Sequence, residues 1–241
     1  MLRIQNLTKH YKGSNKGVTD ISLQIRPGDI YAFIGHNGAG KTTTLKCVAG
    51  IHGFDKGEIL IDGKDIRKDP MGCKRSIAYI PDNPDLYEYL TGIQYLNFIA
   101  DVFGVSKEDR EQRIKTYADK FEITASLGDL ISSYSHGMKQ KLAIISALVH
   151  RPKLLLLDEP FVGLDPKAAV ILKEIMRELC EDGGAIFFST HVLDVAEKLC
   201  NKVAIIKGGE LVASGEMKDI VKEGDSLESI FMEVADSAES D

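Results

Sequence analysis

The segment from residue 35 to residue 42 constrains this chain more than any other part of it. It reads Gly-His-Asn-Gly-Ala-Gly-Lys-Thr and fits the pattern G-x-x-x-x-G-K-[ST], between an apolar run at 30–34 and a helical pattern. Glycines let the backbone curl, so that successive N–H groups and the start of the next helix face phosphate oxygens. The alternative is a chance glycine turn. The context favours a phosphate-binding loop in which Lys41 bridges the terminal phosphates and the Thr42 hydroxyl binds Mg²⁺. The residues expected to hold the phosphates are Gly35, Asn37, Gly38, Ala39, Gly40, Lys41, Thr42 and Thr43.

Two acidic residues follow a second apolar run. Residues 154–157 are all leucine, and Asp158 and Glu159 come directly after them. In an open parallel sheet, ligands bind at the carboxyl ends of the strands. Two solvated acids at a strand end would be the default interpretation of this pair alone. Because a phosphate-binding loop precedes it, we expect Asp158 to hold the metal, directly or through water, and Glu159 to accept a proton from an attacking water.

The apolar patterning predicts an α/β fold. The runs at 30–34, 154–157 and 185–189 are continuous rather than alternating, as expected of parallel strands that are buried on both faces. The first 70 residues instead indicate short strands joined by turns, such as Asp62-Gly63. We therefore expect a mainly parallel sheet with an antiparallel flank.

Helical patterns separate the predicted strands. Asp165 and Pro166 supply an N-cap and a proline at the first helical position. Between about Glu88 and Ser133 the pattern is helical throughout, and we interpret this segment as an insertion into the α/β core. The acidic end of the chain contains Ser-Leu-Glu-Ser-Ile-Phe-Met-Glu-Val, which predicts one short helix followed by a frayed end.

Composition excludes several classes of protein. The 241 residues are 44% hydrophobic, enough for a buried core, yet no run approaches the roughly 18 to 20 apolar residues of a membrane span. The N-terminus lacks the apolar segment of a signal peptide, so we expect a cytosolic protein unless a partner holds it elsewhere. Four scattered cysteines without C-x-x-C spacing argue against a zinc site and disulfides, and predict reduced thiols.

The charge distribution argues against a nucleic-acid partner. The net charge is -6, and residues 221–241 hold seven acids against one lysine, so the preceding residues are electrically balanced. Nucleic-acid binding depends on clustered lysine and arginine. No basic face is predicted.

Taken together, these ordered motifs resemble those of the ATP-binding cassette (ABC) ATPases, the nucleotide-binding subunits of membrane transporters. The similarity extends from Tyr11 to about Gly215. It implies a P-loop NTPase core with an antiparallel β flank and an inserted α-helical subdomain, with ATP and Mg²⁺ as ligands. As one domain, residues 1–87 and 136–220 would form the nucleotide-binding core, residues 88–135 the helical signature subdomain, and residues 221–241 an acidic tail.

The resemblance also assigns roles to residues that carry little signal by themselves. Tyr11 matches the aromatic residue that stacks on adenine, Asp165 lies in the matching D-loop, and His191 matches the switch histidine. Alone, His191 would more often be an ordinary residue at a strand end. The family signature, usually Leu-Ser-Gly-Gly-Gln, reads here from Tyr134 to Met138. By itself that segment is a helix start with Ser135 as N-cap.

In a head-to-tail dimer, the resemblance implies that Ser135 and Gly137 face the γ-phosphate held by the partner's Lys41. In the signature of this chain His136 and Met138 replace a glycine and a glutamine, but its serine and second glycine remain, so we expect a competent clamp. This variant resembles the cassettes of multidrug, peptide and antibiotic-resistance exporters. The family generally has glutamine where this chain has Asp82, which is charged and cannot donate a hydrogen bond but can approach Mg²⁺ or its water.

The resemblance predicts an ATPase at the cytoplasmic face of the membrane, with two partners: an integral membrane permease and a second ATPase subunit, either identical or related. The aromatic residues between 83 and 91 border the family's groove for the permease, or alternatively pack inside the helical segment. Two other functions remain open. One is a soluble cassette ATPase acting on nucleic acid or ribosomes, although no sustained heptads are present. The other is a nucleotide-gated regulator without meaningful turnover, motivated by Asp82.

Overall fold

The structure is a computed structural model that describes residues 1–13, 16–222 and 224–236. Within these residues the chain forms two β-sheets, one antiparallel and one mainly parallel, and helices that pack against them. The strands are β1 (Leu2–His10), β2 (Gly17–Ile25), β3 (Ile30–Ile34), β4 (Lys56–Ile61), β5 (Lys64–Asp65), β6 (Ile77–Ile80), β7 (Leu154–Asp158), β8 (Ala185–Thr190), β9 (Lys202–Lys207) and β10 (Glu210–Glu216).

The larger sheet has six strands in the order β10-β9-β3-β8-β7-β6. The five strands from β9 to β6 are parallel, and β10 pairs with β9 in the antiparallel sense. Every residue of β3, β7 and β8 is buried, which explains their continuous apolar sequences. The parallel register brings the carboxyl ends of these three strands to the same edge of the sheet.

The smaller sheet is the predicted antiparallel flank, in the order β2-β1-β4-β5. Leu2 lies opposite both Ile25 and Ile61, so apolar side chains of three strands share one face. Burial alternates along β1 and β2, as expected for a sheet with one face against the core and one toward solvent. This face and the first helix after β3 cover one side of the larger sheet.

The helices differ in how they begin. Thr91 and Gln94 form a capping box, and Ser106, Ser135 and Asp165 each accept a backbone N–H at an N-terminus. Two 3₁₀ turns, Thr124–Ser126 and Ile131–Ser133, complete the helical segment between β6 and β7. The helices are α1 (Lys41–Val48), α2 (Pro70–Lys74), α3 (Gly92–Val102), α4 (Lys107–Lys120), α5 (His136–Leu148), α6 (Pro166–Glu181), α7 (Leu193–Leu199), α8 (Met217–Ile220) and α9 (Leu227–Asp236).

Two hydrophobic clusters lie on opposite faces of the larger sheet. One cluster contains side chains of the smaller sheet and of α1, together with larger-sheet residues such as Phe33 and Phe187. The other contains side chains of helices α3 through α7 and of α9, together with larger-sheet residues such as Leu157 and Phe188. Helix α5 contacts α3, α4 and β6, and therefore connects the helical segment to the sheet. None of the helices in the described ranges has both the length and the apolar character needed to cross a bilayer.

The predicted α/β fold with an antiparallel flank and an inserted helical segment is confirmed. Strands β6, β9 and β10 were not predicted. The short helix expected near the C-terminus is α9, whereas the frayed end expected after it, residues 237–241, lies outside the described residues. All four cysteines are buried free thiols, as their spacing predicted.

Candidate functional site

The loop after β3 has the curled backbone that its glycines predict. Gly40 is left-handed, with φ of 112°, and a Cβ there would lie 2.5 Å from Cγ1 of Val18. A Cβ on Gly35 would lie 2.5 Å from the carbonyl oxygen of Ile206. Strands β2 and β9 therefore approach the loop so closely that side chains at these two positions would displace it.

Lys41, the first residue of α1, is 5% exposed and folds back over the loop. Its Nζ donates to the carbonyl oxygens of Gly35 at 2.6 Å and His36 at 3.3 Å. The N–H of Ala39 also donates to the His36 carbonyl oxygen, at 3.1 Å. The ammonium group is thus held at the mouth of the loop, where phosphate oxygens could replace the backbone acceptors.

A cavity of about 440 Å³ opens over the loop and the start of α1. Tyr11, at the end of β1, lines it, and its hydroxyl lies 3.3 Å from Oγ1 of Thr43. The Tyr11 ring also meets the edge of His52, with 6.0 Å between ring centroids. The described residues that line the cavity are Tyr11, Lys16, Gly17, His36, Asn37, Gly38, Gly40, Lys41, Thr42, Thr43, Asp82, Asp158 and Glu159.

The two acids after β7 have different environments. Asp158 is 1% exposed; its Oδ1 accepts a hydrogen bond from the Ser189 hydroxyl, across the β7–β8 register. Its Oδ2 is buried and has no hydrogen-bond partner among the described residues. Since a buried carboxylate oxygen is costly without a partner, this oxygen is suited to a cation or a bound water.

Glu159 has a left-handed backbone, with φ of 48°, which for a non-glycine residue costs about 1 to 2 kcal/mol. Its N–H donates to the carbonyl and hydroxyl oxygens of Ser189, at 3.1 and 3.2 Å, and these bonds help to hold that conformation. Its carboxylate lies between two groups: Oε1 is 3.6 Å from Nζ of Lys41, and Oε2 is 2.9 Å from Nδ1 of His191. The carboxylate thus faces both the phosphate loop and the segment after β8.

The signature segment lies elsewhere. Ser135, Gly137 and Asp165 are absent from the described residues that line the cavity, although Lys41, Asp82 and Glu159 are present. Signature and D-loop instead contact each other within the chain. Lys141 pairs with Asp165 at 2.8 Å, and a Cβ on Gly163 would lie 2.4 Å from the His136 ring. The predicted site residues therefore form two groups on one chain.

The aromatic residues before α3 were expected either to border a groove for the permease or to pack inside the helical segment, and they show features of both. Tyr87 packs against Tyr95 and Phe98, with ring centroids 6.0 and 5.7 Å apart. Tyr89 stacks on Tyr87 and is 75% exposed. We call Tyr87, Tyr89, Tyr95 and Phe98 the aromatic patch. It combines internal packing with an exposed apolar surface.

Sequence reasoning missed two contributors to the site. Ser189 precedes the Thr190-His191 pair at the end of β8, but a buried serine has no signal of its own. Phe231 on α9 contacts His36 of the loop, and no local pattern relates residues so far apart in the chain. Both contacts depend on long-range packing.

A protein-family model described as ABC transporter matches residues 18–162. The ABC-type transporter ATP-binding protein EcsA of Bacillus subtilis (strain 168) is 37% identical over 91% of this chain and 89% of its own length. The linearmycin resistance ATP-binding protein LnrL of the same organism is 33% identical over 91% of this chain and 70% of its own.

A solved structure, described as an ATP binding subunit of an ABC transporter, superposes with a TM-score of 0.93 at 34% identity. The superposition covers 98% of this chain and 99% of that one. The family model covers residues 18–162, and the relatives and the shared fold extend over nearly the whole sequence. The chain therefore belongs to the ABC transporter family, among its ATP-binding subunits with ATPase activity.

Proposed function

We propose that this chain hydrolyses ATP between two cassettes and thereby drives a separate membrane permease. The observation that carries the proposal is the division of the site. The phosphate loop, Asp158 and Glu159 line one cavity, whereas Ser135 and Gly137 are not among its described lining residues. Because the described lining residues of this cavity do not include both groups, we infer that a second chain completes the site.

Within one chain, the cavity residues have complementary roles. The Tyr11 ring stacks on the adenine, and Lys41 exchanges its backbone acceptors, the carbonyl oxygens of Gly35 and His36, for phosphate oxygens. Glu159 takes a proton from the attacking water, and His191, at 2.9 Å from its carboxylate, holds Glu159 in position. Positioning and charge carry this reaction, since phosphoryl transfer demands little covalent chemistry of the protein.

Magnesium is the expected cofactor, and three residues fit it. Asp158 offers its unpartnered Oδ2, while Thr42 and Asp82 line the same cavity with oxygen atoms, the ligands that Mg²⁺ prefers. When bound, Mg²⁺ neutralises charge on the phosphates.

The second cassette supplies Ser135, Gly137 and the positive end of α5 to the γ-phosphate. Ser135 already caps α5, with the Met138 N–H donating to its Oγ at 3.3 Å, so the helix terminus is formed before the dimer assembles. Residues 88–135 form the helical signature subdomain, and residues 1–87 with 136–220 form the nucleotide-binding core. Asp165, paired with Lys141, then lies beside the signature at the same interface.

The permease docks on the aromatic patch, which exposes Tyr89 and part of Phe98 next to the loop that contains Asp82. The chain is then held at the cytoplasmic face of the membrane. Export is the proposed direction of transport, because the signature variant resembles that of exporter cassettes. Nucleic acid is not an expected partner, since most of the chain is electrically balanced and its tail is acidic.

Mixing two inactive variants tests the shared site. Lys41→Ala removes the loop lysine, and Ser135→Arg places a bulky cation at the signature, so each variant alone should hydrolyse ATP slowly. A dimer with one chain of each kind has one intact site, made of Lys41 from one chain and Ser135 from the other. We expect the mixture to recover part of the wild-type phosphate release.

Ser133→Ala is the matched control, because this nearby hydroxyl donates to the Leu130 carbonyl oxygen, at 2.7 Å, within the helical segment. It should leave activity unchanged. If mixing restores nothing while both variants still bind ATP and dimerise, a site shared between chains is ruled out.

Crosslinking in native membranes tests the membrane partner. Capture of an integral membrane protein that is lost in the Tyr89→Ala variant supports docking of the permease on the aromatic patch. Salt-sensitive recovery of nucleic acid instead would favour the soluble alternative.

A further inference from the structure

The C-terminal helix reaches the phosphate loop from outside the matched family region. A cavity of about 330 Å³ lies beside the loop and is lined by Gly35, His36, Asn37, His191 and Phe231. Four of these residues belong to the loop or follow β8, whereas Phe231 is on α9. We propose that Phe231 is a positioning residue, which holds the phosphate loop in its nucleotide-binding shape through His36.

The contact is between two rings. The centroids of the His36 imidazole and the Phe231 ring are 4.7 Å apart, with 51° between their planes, which is within the usual range for interacting aromatic pairs. The His36 side chain is exposed, and the Phe231 ring is a contact that limits its motion. The pair therefore ties an exposed loop residue to a helix.

The backbone of His36 links this ring contact to Lys41 and to the turn of the loop. Its carbonyl oxygen accepts hydrogen bonds from Nζ of Lys41 at 3.3 Å and from the N–H of Ala39 at 3.1 Å. A rotation of the His36 peptide would disturb both the turn of the loop and the acceptor that holds Lys41. Restraining the His36 side chain therefore restrains the group that orients the lysine.

Helix α9 is anchored firmly enough to impose this restraint. Leu227, its first residue, is fully buried, and its N–H donates to Oε2 of Glu197 on α7 at 2.8 Å. The N–H of Ser229 donates to the hydroxyl of Ser226 at 3.0 Å, which caps the start of the helix. Since α7 begins two residues after His191, α9 connects the phosphate loop to the segment that carries the histidine next to Glu159.

The predicted effect is on nucleotide affinity rather than on the chemical step. A loop that samples more conformations before binding loses affinity for every ligand that needs the curled form, and a loss common to ground and transition states raises KM with kcat unchanged. Removal of the Phe231 ring should therefore weaken ADP and ATP alike.

The test compares Phe231→Ala with Met232→Ala, a control on the next residue, whose side chain is 53% exposed. In nucleotide-free protein, amide hydrogen exchange over residues 35–41 should accelerate in Phe231→Ala, and the imidazole proton resonances of His36 should move as the ring current is lost. The Kd for ADP and the KM for ATP should rise by roughly threefold to tenfold, the range of an aromatic pair. Met232→Ala should match the wild type in each measurement.

Phe231→Tyr keeps the ring and should match the wild type in loop exchange, His36 resonances, Kd for ADP and KM for ATP. A melting curve for each variant separates local from global effects. The proposal is overturned if Phe231→Ala leaves loop exchange and ADP affinity within twofold of the wild type. It is also overturned if Met232→Ala has the same effect, because the ring would then not be the cause. The exchange and resonance measurements need neither a permease nor a dimer, so they stand apart from the transport proposal.

Discussion

Oε2 of Glu159 lies 2.9 Å from Nδ1 of His191, while the other oxygen of the same carboxylate lies 3.6 Å from Nζ of Lys41. One side chain thus connects the ends of β7 and β8 to the start of α1. Glu159 adopts a left-handed backbone directly after β7, where the strand ends.

Glu159→Gln should bind ATP with nearly wild-type affinity but hydrolyse it about 10² to 10⁴ times more slowly, since the amide cannot accept the proton of the attacking water. Phosphate release and equilibrium nucleotide binding measure the two effects separately. Glu174→Gln, an exposed acid on α6, is the matched control and should behave as the wild type. Turnover by Glu159→Gln within tenfold of the wild type would exclude Glu159 as the general base.

Ser189→Ala should destabilise the nucleotide-free protein by about 2 kcal/mol, because it removes a buried hydrogen bond to the charged Asp158. Ser146→Ala is the control: that hydroxyl is also buried but donates to the neutral Ala143 carbonyl oxygen, at 2.8 Å, and should cost about 1 kcal/mol or less. Urea unfolding compares the two. Equal losses would mean that the charge of Asp158 adds nothing to the bond.

Asp82→Asn should raise the Mg²⁺ concentration needed for half-maximal ATPase activity by roughly fivefold, which corresponds to about 1 kcal/mol of lost attraction. The substitution keeps the shape of the side chain and removes its charge from the cavity. Asp85→Asn, an exposed acid on the same loop, should leave the Mg²⁺ dependence unchanged. No shift in Asp82→Asn would place its carboxylate outside the reach of the ion.

Lys141→Met should raise the pKa of Asp165, because the hydrogen bond from the Lys141 ammonium holds that pKa below its usual 3.8. The Lys141–Asp165 pair stabilises the folded protein above about pH 3.8. This stabilisation is lost as the pH falls through the lowered pKa of Asp165. Since Asp165 is half exposed, the pair contributes roughly 0.5 kcal/mol. A carboxyl-carbon NMR titration measures the pKa. Lys139→Met, which removes a lysine paired with Glu88, should leave it unchanged.

All four native thiols should resist alkylation near neutral pH, because burial disfavours the thiolate. Burial raises the pKa of Cys47 to about 11 and of Cys180 to about 12. Ile51→Cys places a thiol at a position that is 55% exposed and should react rapidly, as the positive control. A native cysteine that reacts as fast as this control would contradict the buried environment.

The same thiols predict how stability depends on pH. Since their folded pKa values lie above the usual 9.0, the stabilisation that they provide is complete below about pH 9 and declines as pH rises. The unfolded chain then ionises while the folded chain does not. Urea unfolding between pH 8 and 11 measures this decline, which should be smaller in Cys180→Ala.

Local sequence determined a large part of the site. The phosphate loop, the Asp158-Glu159 pair and the cap at Ser135 are each encoded within a few residues, because glycine conformations, strand burial and capping are short-range effects. The same patterns predicted the parallel core, the antiparallel flank and the helical segment. Strands β6, β9 and β10 escaped prediction. For β6, the reason is that short apolar runs such as 77–80 resemble buried helix segments when read by periodicity alone.

The tertiary structure decided which of these pieces meet. The strand order places β8 between β3 and β7, and this order brings Ser189 to Asp158 and His191 to Glu159. It also sets Tyr11 beside Thr43 and Phe231 against His36. Contacts of this kind depend on how sheets and helices pack over the whole chain. No local pattern in the sequence contains that information, because neighbouring residues fix only their own backbone and burial.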